Sequence, residues 1–335
     1  MKDGLNAILA ASTFKDRPCA GCHQGFAPGT KGLHPIIEMD GCGSCHEAAH
    51  TRPQKRYKWL SADIQDLCVP CHSGAAFDDK VRHAPSRMGM CTSCHDPHVS
   101  SKKKLLKNEP PLLCFDCHRA EGFLRKNRHS PAADGSCMDC HLPHSGPNRK
   151  LLTDPKVCFN CHDESGIAGG KVVHAPVRAS ACGSCHDPHS SDRGKLLVAD
   201  KLCVRCHKPE AFTGASVHYP VRSGSCDSCH QPHRSEFSKL LSQELPGLCF
   251  GCHDESEFRG KKVVHYPVAS GDCTSCHSPH AGKAGKLLLS EKVCFECHDE
   301  AGFDGTGKHV KAEPRWCVGC HDPHQSDRGH LLRGK

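Results

Sequence analysis

Apolar positions along this chain come singly or in short runs such as "KLL", and proline or glycine interrupts nearly everything between them. No segment sustains the 3.6-residue spacing of a bundle helix or an alternation long enough for a sheet. The pattern predicts single helical turns instead. In segments such as "VCFECHDE", two cysteines and a histidine fall at i, i+3 and i+4, on one face of a turn. Strands are expected only as isolated pairs, and no stretch approaches the roughly 20 apolar residues of a membrane span. The expected fold is a mostly irregular chain with short α-helices and little or no β-sheet.

The cysteine turn is the dominant periodic feature. C-x-x-C-H occurs with cysteine pairs Cys19/Cys22, Cys42/Cys45, Cys68/Cys71, Cys91/Cys94, Cys114/Cys117, Cys137/Cys140 and Cys158/Cys161. It continues with Cys182/Cys185, Cys203/Cys206, Cys226/Cys229, Cys249/Cys252, Cys273/Cys276, Cys294/Cys297 and Cys317/Cys320. The adjoining histidines are His23, His46, His72, His95, His118, His141, His162, His186, His207, His230, His253, His277, His298 and His321. These pairs consume all 28 cysteines, so none is left for a disulfide, a lipid anchor or a nucleophile.

Odd-numbered motifs recur about every 45 residues, and an even motif follows each by 23 or 24. Repeats of this length indicate a linear array in which each unit contacts mainly its neighbours. Seven units are expected in one continuous array, spanning about 14–60, 61–106, 107–152, 153–197, 198–241, 242–288 and 289–335. Each reads C-x-x-C-H, H-x-P, C-x-x-C-H-x-P-H, K-L-L. The first unit departs with "HEAAH" and the last with "HVK" in place of H-x-P, which suits capping positions.

Cys-x-x-Cys-His is the attachment signature of c-type haem, in which two thiols bond the vinyl groups and the imidazole takes one axial position on the iron. A disulfide framework or a zinc ribbon would not place histidine after every second cysteine. Fourteen covalent haem c groups are therefore expected, with the histidines above as proximal ligands.

Fifteen further histidines remain of the 29. Seven follow even motifs, namely His50, His98, His144, His189, His233, His280 and His324. Another seven lie eight residues before an even motif, namely His34, His83, His129, His174, His218, His265 and His309. Together they supply one distal ligand per haem. A histidine three residues past a proximal ligand cannot reach the opposite face of the same haem, so it must serve a neighbour. Whether the H-x-P histidine serves the following even haem or the preceding odd one is open from spacing alone. His330 occupies the slot held elsewhere by Lys104, Lys150, Lys195, Lys239 and Lys286, and reads as a surface residue.

Composition explains why the haems matter to folding. Leu, Ile, Val and Phe make up 59 of 335 residues, below the roughly 20% at which chains tend to disorder. Porphyrins are expected to supply the missing core, giving a haem-cored array. The formal charge of +7 has the sign that suits a nucleic-acid partner. Two propionates per haem outweigh it, however, and nucleic acid is not an expected partner. Covalent haem attachment implies export, whereas "MKDGLNAILAAS" makes a poor signal peptide.

With "CTSCHDPH", "CGSCHDPH", "CTSCHSPH" and the preceding "HAP" or "HYP" in view, the chain resembles the doubled-CxxCH multihaem cytochromes of anaerobic respiratory prokaryotes. The resemblance runs from Cys19 to His324. It implies bis-histidine haems and an electron carrier between quinol-linked donors and terminal reductases, outer-membrane conduits or extracellular acceptors. Redox-protein donors and acceptors, with an outer-membrane porin or cytochrome complex among them, would be its partners in the periplasm, cell envelope or extracellular space. Two alternatives stay open: a multihaem reductase, which needs an open iron, and a self-assembling subunit of a cytochrome filament.

Overall fold

The structure, a computed structural model, describes residues 26, 31–39, 41–46, 60–72, 74–300 and 317–334. The chain divides into two compact units, one of residues 1–160 with 186–197 and the other of residues 161–185 with 198–335. Both are made of the same parts: helical turns of three to five residues, two-residue strands, and irregular backbone between them. No described helix is long and apolar enough to cross a membrane.

Each H-x-P histidine begins a helical turn. His83, His129, His174, His218 and His265 sit at the N-caps of Ala84–Arg87, Ser130–Ala133, Ala175–Arg178, Tyr219–Ser223 and Tyr266–Ala269. The proline falls in the first two helical positions, where its missing N–H costs nothing and its fixed φ suits the turn. At His34 the proline follows directly, and the turn is Pro35–Glu38.

Immediately before each H-x-P, two residues pair antiparallel with the two that follow C-H-x-P-H in the next repeat. Val81–Arg82 pairs with Ser145–Gly146, and Asn127–Arg128 with Ser190–Ser191. In the second unit Val172–Val173 pairs with Arg234–Ser235, Ser216–Val217 with Ala281–Gly282, and Val263–Val264 with Gln325–Ser326. A bridge between Leu33 and Val99 marks the first junction. There Gly32, at φ +77°, approaches so closely that an added Cβ would lie 1.9 Å from the Ser100 carbonyl oxygen.

The K-L-L segment closes each repeat through strained backbone. Lys104/Leu105, Lys150/Leu151, Lys195/Leu196, Lys239/Leu240, Lys286/Leu287 and His330/Leu331 all have φ between 54° and 62°. Left-handed backbone costs a non-glycine residue about 1–2 kcal/mol. Bonds back to the even motif offset this cost. In the second repeat Asp96 N–H donates to Leu105 O at 2.8 Å and Lys107 N–H to Cys94 O at 2.9 Å, while His95 bridges Leu106.

Among the described residues the buried apolar side chains are Leu33, Ile37, Val157, Ala284 and Val293. The buried polar ones are Ser145, Ser190, Ser191, Ser235, Gln325 and Ser326. Ser190 Oγ donates to Gly122 O at 2.9 Å and Ser191 Oγ to Leu197 O at 2.6 Å, so this interior satisfies backbone groups. It is not an apolar core, in keeping with the expectation from composition.

Candidate haem-binding sites

The strand register decides where the second set of histidines goes. At each junction the H-x-P histidine and the C-H-x-P-H histidine of the next repeat lie opposite each other. The N–H of His34 donates to His98 O, His83 to His144, His129 to His189, His174 to His233, His218 to His280 and His265 to His324, at 2.8–3.0 Å. Residues directly opposite across an antiparallel pair share a face, so two imidazoles from successive repeats emerge side by side.

Those imidazoles then diverge. The H-x-P ring faces the proximal histidine of the odd motif in the following repeat, giving the pairs His34/His72, His83/His118, His174/His207, His218/His253 and His265/His298. The C-H-x-P-H ring faces the proximal histidine of the even motif in the preceding repeat, giving His46/His98, His95/His144, His141/His189, His230/His280 and His277/His324. Spacing had left two options for the H-x-P histidine, and the structure takes neither. The strand crossing at the junction carries the imidazole forward to face the following odd motif.

Ring centroids in these ten pairs are 5.9–6.2 Å apart. Two metal–imidazole bonds of about 2 Å each, with the nitrogen about 1 Å from its ring centre, require roughly 6 Å between centroids. The gap therefore fits one iron. Direct stacking would bring the rings closer, and a void would leave them farther apart.

Tautomers point the same way. Nδ1 of His95, His141, His186, His230 and His277 lies 2.8–2.9 Å from the carbonyl oxygen of Lys104, Lys150, Lys195, Lys239 and Lys286, and His321 Nδ1 lies 2.7 Å from His330 O. Nδ1 of His83, His129, His174, His218 and His265 meets Pro143, Pro188, Pro232, Pro279 and Pro323 O at 2.9–3.0 Å. A carbonyl only accepts, so each of these Nδ1 atoms carries the proton and Nε2 keeps its lone pair for a metal. His330 contributes only its backbone oxygen, and its side chain is exposed, as expected of a surface residue.

Thiols of successive motifs meet in sequence order within each unit. Cys68 and Cys91 share a hydrogen bond, as do Cys114 and Cys137, Cys203 and Cys226, and Cys249 and Cys273. Burial, and then the neighbouring thiol, pushes Cys68, Cys114 and Cys249 up to about 11. Thiols of an even motif and the next odd motif also lie within electrostatic reach of each other, as Cys45 and Cys71, Cys94 and Cys117, Cys229 and Cys252, and Cys276 and Cys294 do. Cofactors bonded to these sulfurs would follow one another along the chain.

Exposure separates two classes of motif that look alike in sequence. In the described odd motifs the second cysteine is exposed throughout, at Cys71, Cys117, Cys161, Cys206, Cys252 and Cys297. Among the second cysteines of the even motifs only Cys320 is exposed, and the others are half-buried. The K-L-L return accompanies most of this difference. It folds back onto the carbonyls of Cys94, Cys140, Cys185, Cys229 and Cys276, which accept backbone N–H groups at 2.8–2.9 Å, and odd motifs have no such segment after them. Cys320 has the return, from Arg333 N–H at 2.8 Å, and is exposed all the same. A porphyrin bonded at the exposed thiols would itself be their cover.

A row of phenylalanines completes the sites. Phe26, Phe77, Phe123, Phe212 and Phe258 lie 4.6–5.4 Å, centroid to centroid, from His98, His144, His189, His280 and His324. Four of them stand nine residues after the first cysteine of an odd motif, a periodic signal the sequence reading missed. Cys19, Cys22, His23, His50 and His309 lie outside the described residues.

A family model described as the doubled CXXCH motif matches residues 34–77, 83–123, 129–166, 174–212, 218–258 and 265–303. No curated protein matches the chain. With motif, spacing and imidazole geometry in agreement, the chain belongs to the doubled-CXXCH family of multihaem c-type cytochromes, proteins that bind haem c covalently and carry electrons.

Proposed function

We propose that the chain is a fourteen-haem wire, with every iron held by two histidines, working in anaerobic respiration or extracellular electron transfer. The observation that carries this reading is the set of ten facing imidazole pairs at iron-spanning separation. Haem supplies reversible one-electron chemistry at its iron. At those ten sites two imidazoles would hold each iron through Nε2, leaving no coordination position for substrate. Attachment cysteines of successive motifs that lie side by side, such as Cys68 and Cys91, would place successive porphyrin edges close enough for hopping. The chain acts as a carrier rather than a reductase, in the periplasm or at the cell surface, between redox proteins or within a porin or cytochrome complex.

The stoichiometry is testable on purified holoprotein. Intact mass and a pyridine haemochrome assay should give fourteen covalent haems, all low-spin in the oxidised state. A count of twelve or fewer in fully matured material would sink the proposal, and carbon monoxide uptake by the reduced parent would reopen the reductase reading.

A further inference from the structure

Between the two histidines of C-H-x-P-H, the repeats differ in one chemically telling position. It is Asp96, Asp187 and Asp322 in three repeats, and Leu142, Gln231 and Ser278 in three others. Asp96 Oδ1 lies 3.8 Å from His98 Nδ1, and Asp187 Oδ1 lies 3.9 Å from His189 Nδ1. Those distances are too long for hydrogen bonds, so the coupling is through-space charge. The same carboxylates shape the turn: Asp96 accepts from His98 N–H at 2.9 Å, Asp187 from His189 N–H at 3.0 Å and Asp322 from His324 N–H at 3.1 Å.

We propose that this aspartate is a positioning residue that sets haem potential. Asp96, Asp187 and Asp322 would hold the haems of His46, His141 and His277 at lower reduction potential than those of His95 and His230. The inference rests on reading the facing imidazoles as axial pairs. His98, His189 and His324 face His46, His141 and His277, whereas His144 and His280, which face His95 and His230, follow Leu142 and Ser278. Loss of an electron adds positive charge at the iron. A carboxylate beside the ligand favours that ferric state by Coulomb attraction. Arg125 opposes the effect at one site, its Nη1 lying 3.1 Å from Asp187 Oδ2. Arg333 does so more weakly at Asp322, at 4.0 Å.

The alternating charges make the sign of each shift specific. In full-length holoprotein titrated spectroelectrochemically, Asp187→Asn keeps an oxygen to accept from His189 N–H but removes the charge. It should move the absorbance of about one haem to higher potential. Arg125→Gln, which uncovers the carboxylate, should move about one haem lower, and Leu142→Asp should do the same for the His95 haem. A purely structural role would move neither variant in a charge-dependent direction. Titrations superimposable on the parent, or shifts of Asp187→Asn and Arg125→Gln in the same direction, would overturn the proposal. His189→Ala separates the two layers of the argument. If it produces a high-spin haem while Asp187→Asn shifts nothing, only the tuning role fails; if it produces none, the axial pairing fails with it.

Discussion

A His280→Ala holoprotein is expected to bind about one carbon monoxide per chain when reduced, where the parent binds almost none, because one iron loses its sixth ligand. The affected haem should be that of His230, which faces His280 at 5.9 Å, and not the haem attached beside His277. Loss of a strong-field imidazole should also bring a high-spin signal and slow electron passage through this part of the chain. The backbone contact from His218 N–H to His280 O survives the substitution, so the junction itself should hold. His330→Ala is the matched control. Only the His330 carbonyl reaches His321, and alanine retains that group. A His280→Ala protein that stays wholly low-spin and inert to the gas would refute the axial assignment.

Expressed without haem attachment, the polypeptide should show no cooperative thermal transition by circular dichroism. Fully burying a Leu or Val returns about 1.5–3 kcal/mol, roughly the entropy cost of fixing one or two residues of chain. The five buried apolar side chains among the described residues are far too few to order the rest. Helical turns of three to five residues cannot persist alone either, since nucleation is costly and short helices are marginal in water. Ligand pairs such as His83 with His118 stand an iron's width apart, so a bound iron would tie adjacent repeats together and supply much of the folding free energy. A sharp melting curve for apoprotein would contradict this.

The attachment sites were legible because covalent chemistry leaves residues adjacent in sequence: Cys137, Cys140 and His141 announce themselves. A second histidine for each motif was legible from counting within a fixed period. The pairing was not. His83 travels 35 residues forward to His118 while His144 travels back to His95, and only the register of two-residue strands settles that. The K-L-L signal was visible but its purpose was hidden. Lysine and leucine carry no mark of left-handed backbone, and the acting group at Lys150 is a carbonyl at φ 58°. Phe123 was passed over because a lone aromatic in an irregular segment looks like ordinary packing, and its counterpart Ile167 breaks the row.

The opposed journeys of His83 and His144 constrain how such a chain can grow. An interior repeat sends one imidazole to each neighbour and takes one from each. Insertion or removal of a whole interior period would therefore leave the donors and irons of the other interior repeats matched. A change of half a period strands an imidazole on one side and an iron on the other. Length in this architecture is thus free to drift by duplication or loss, in steps of two haems.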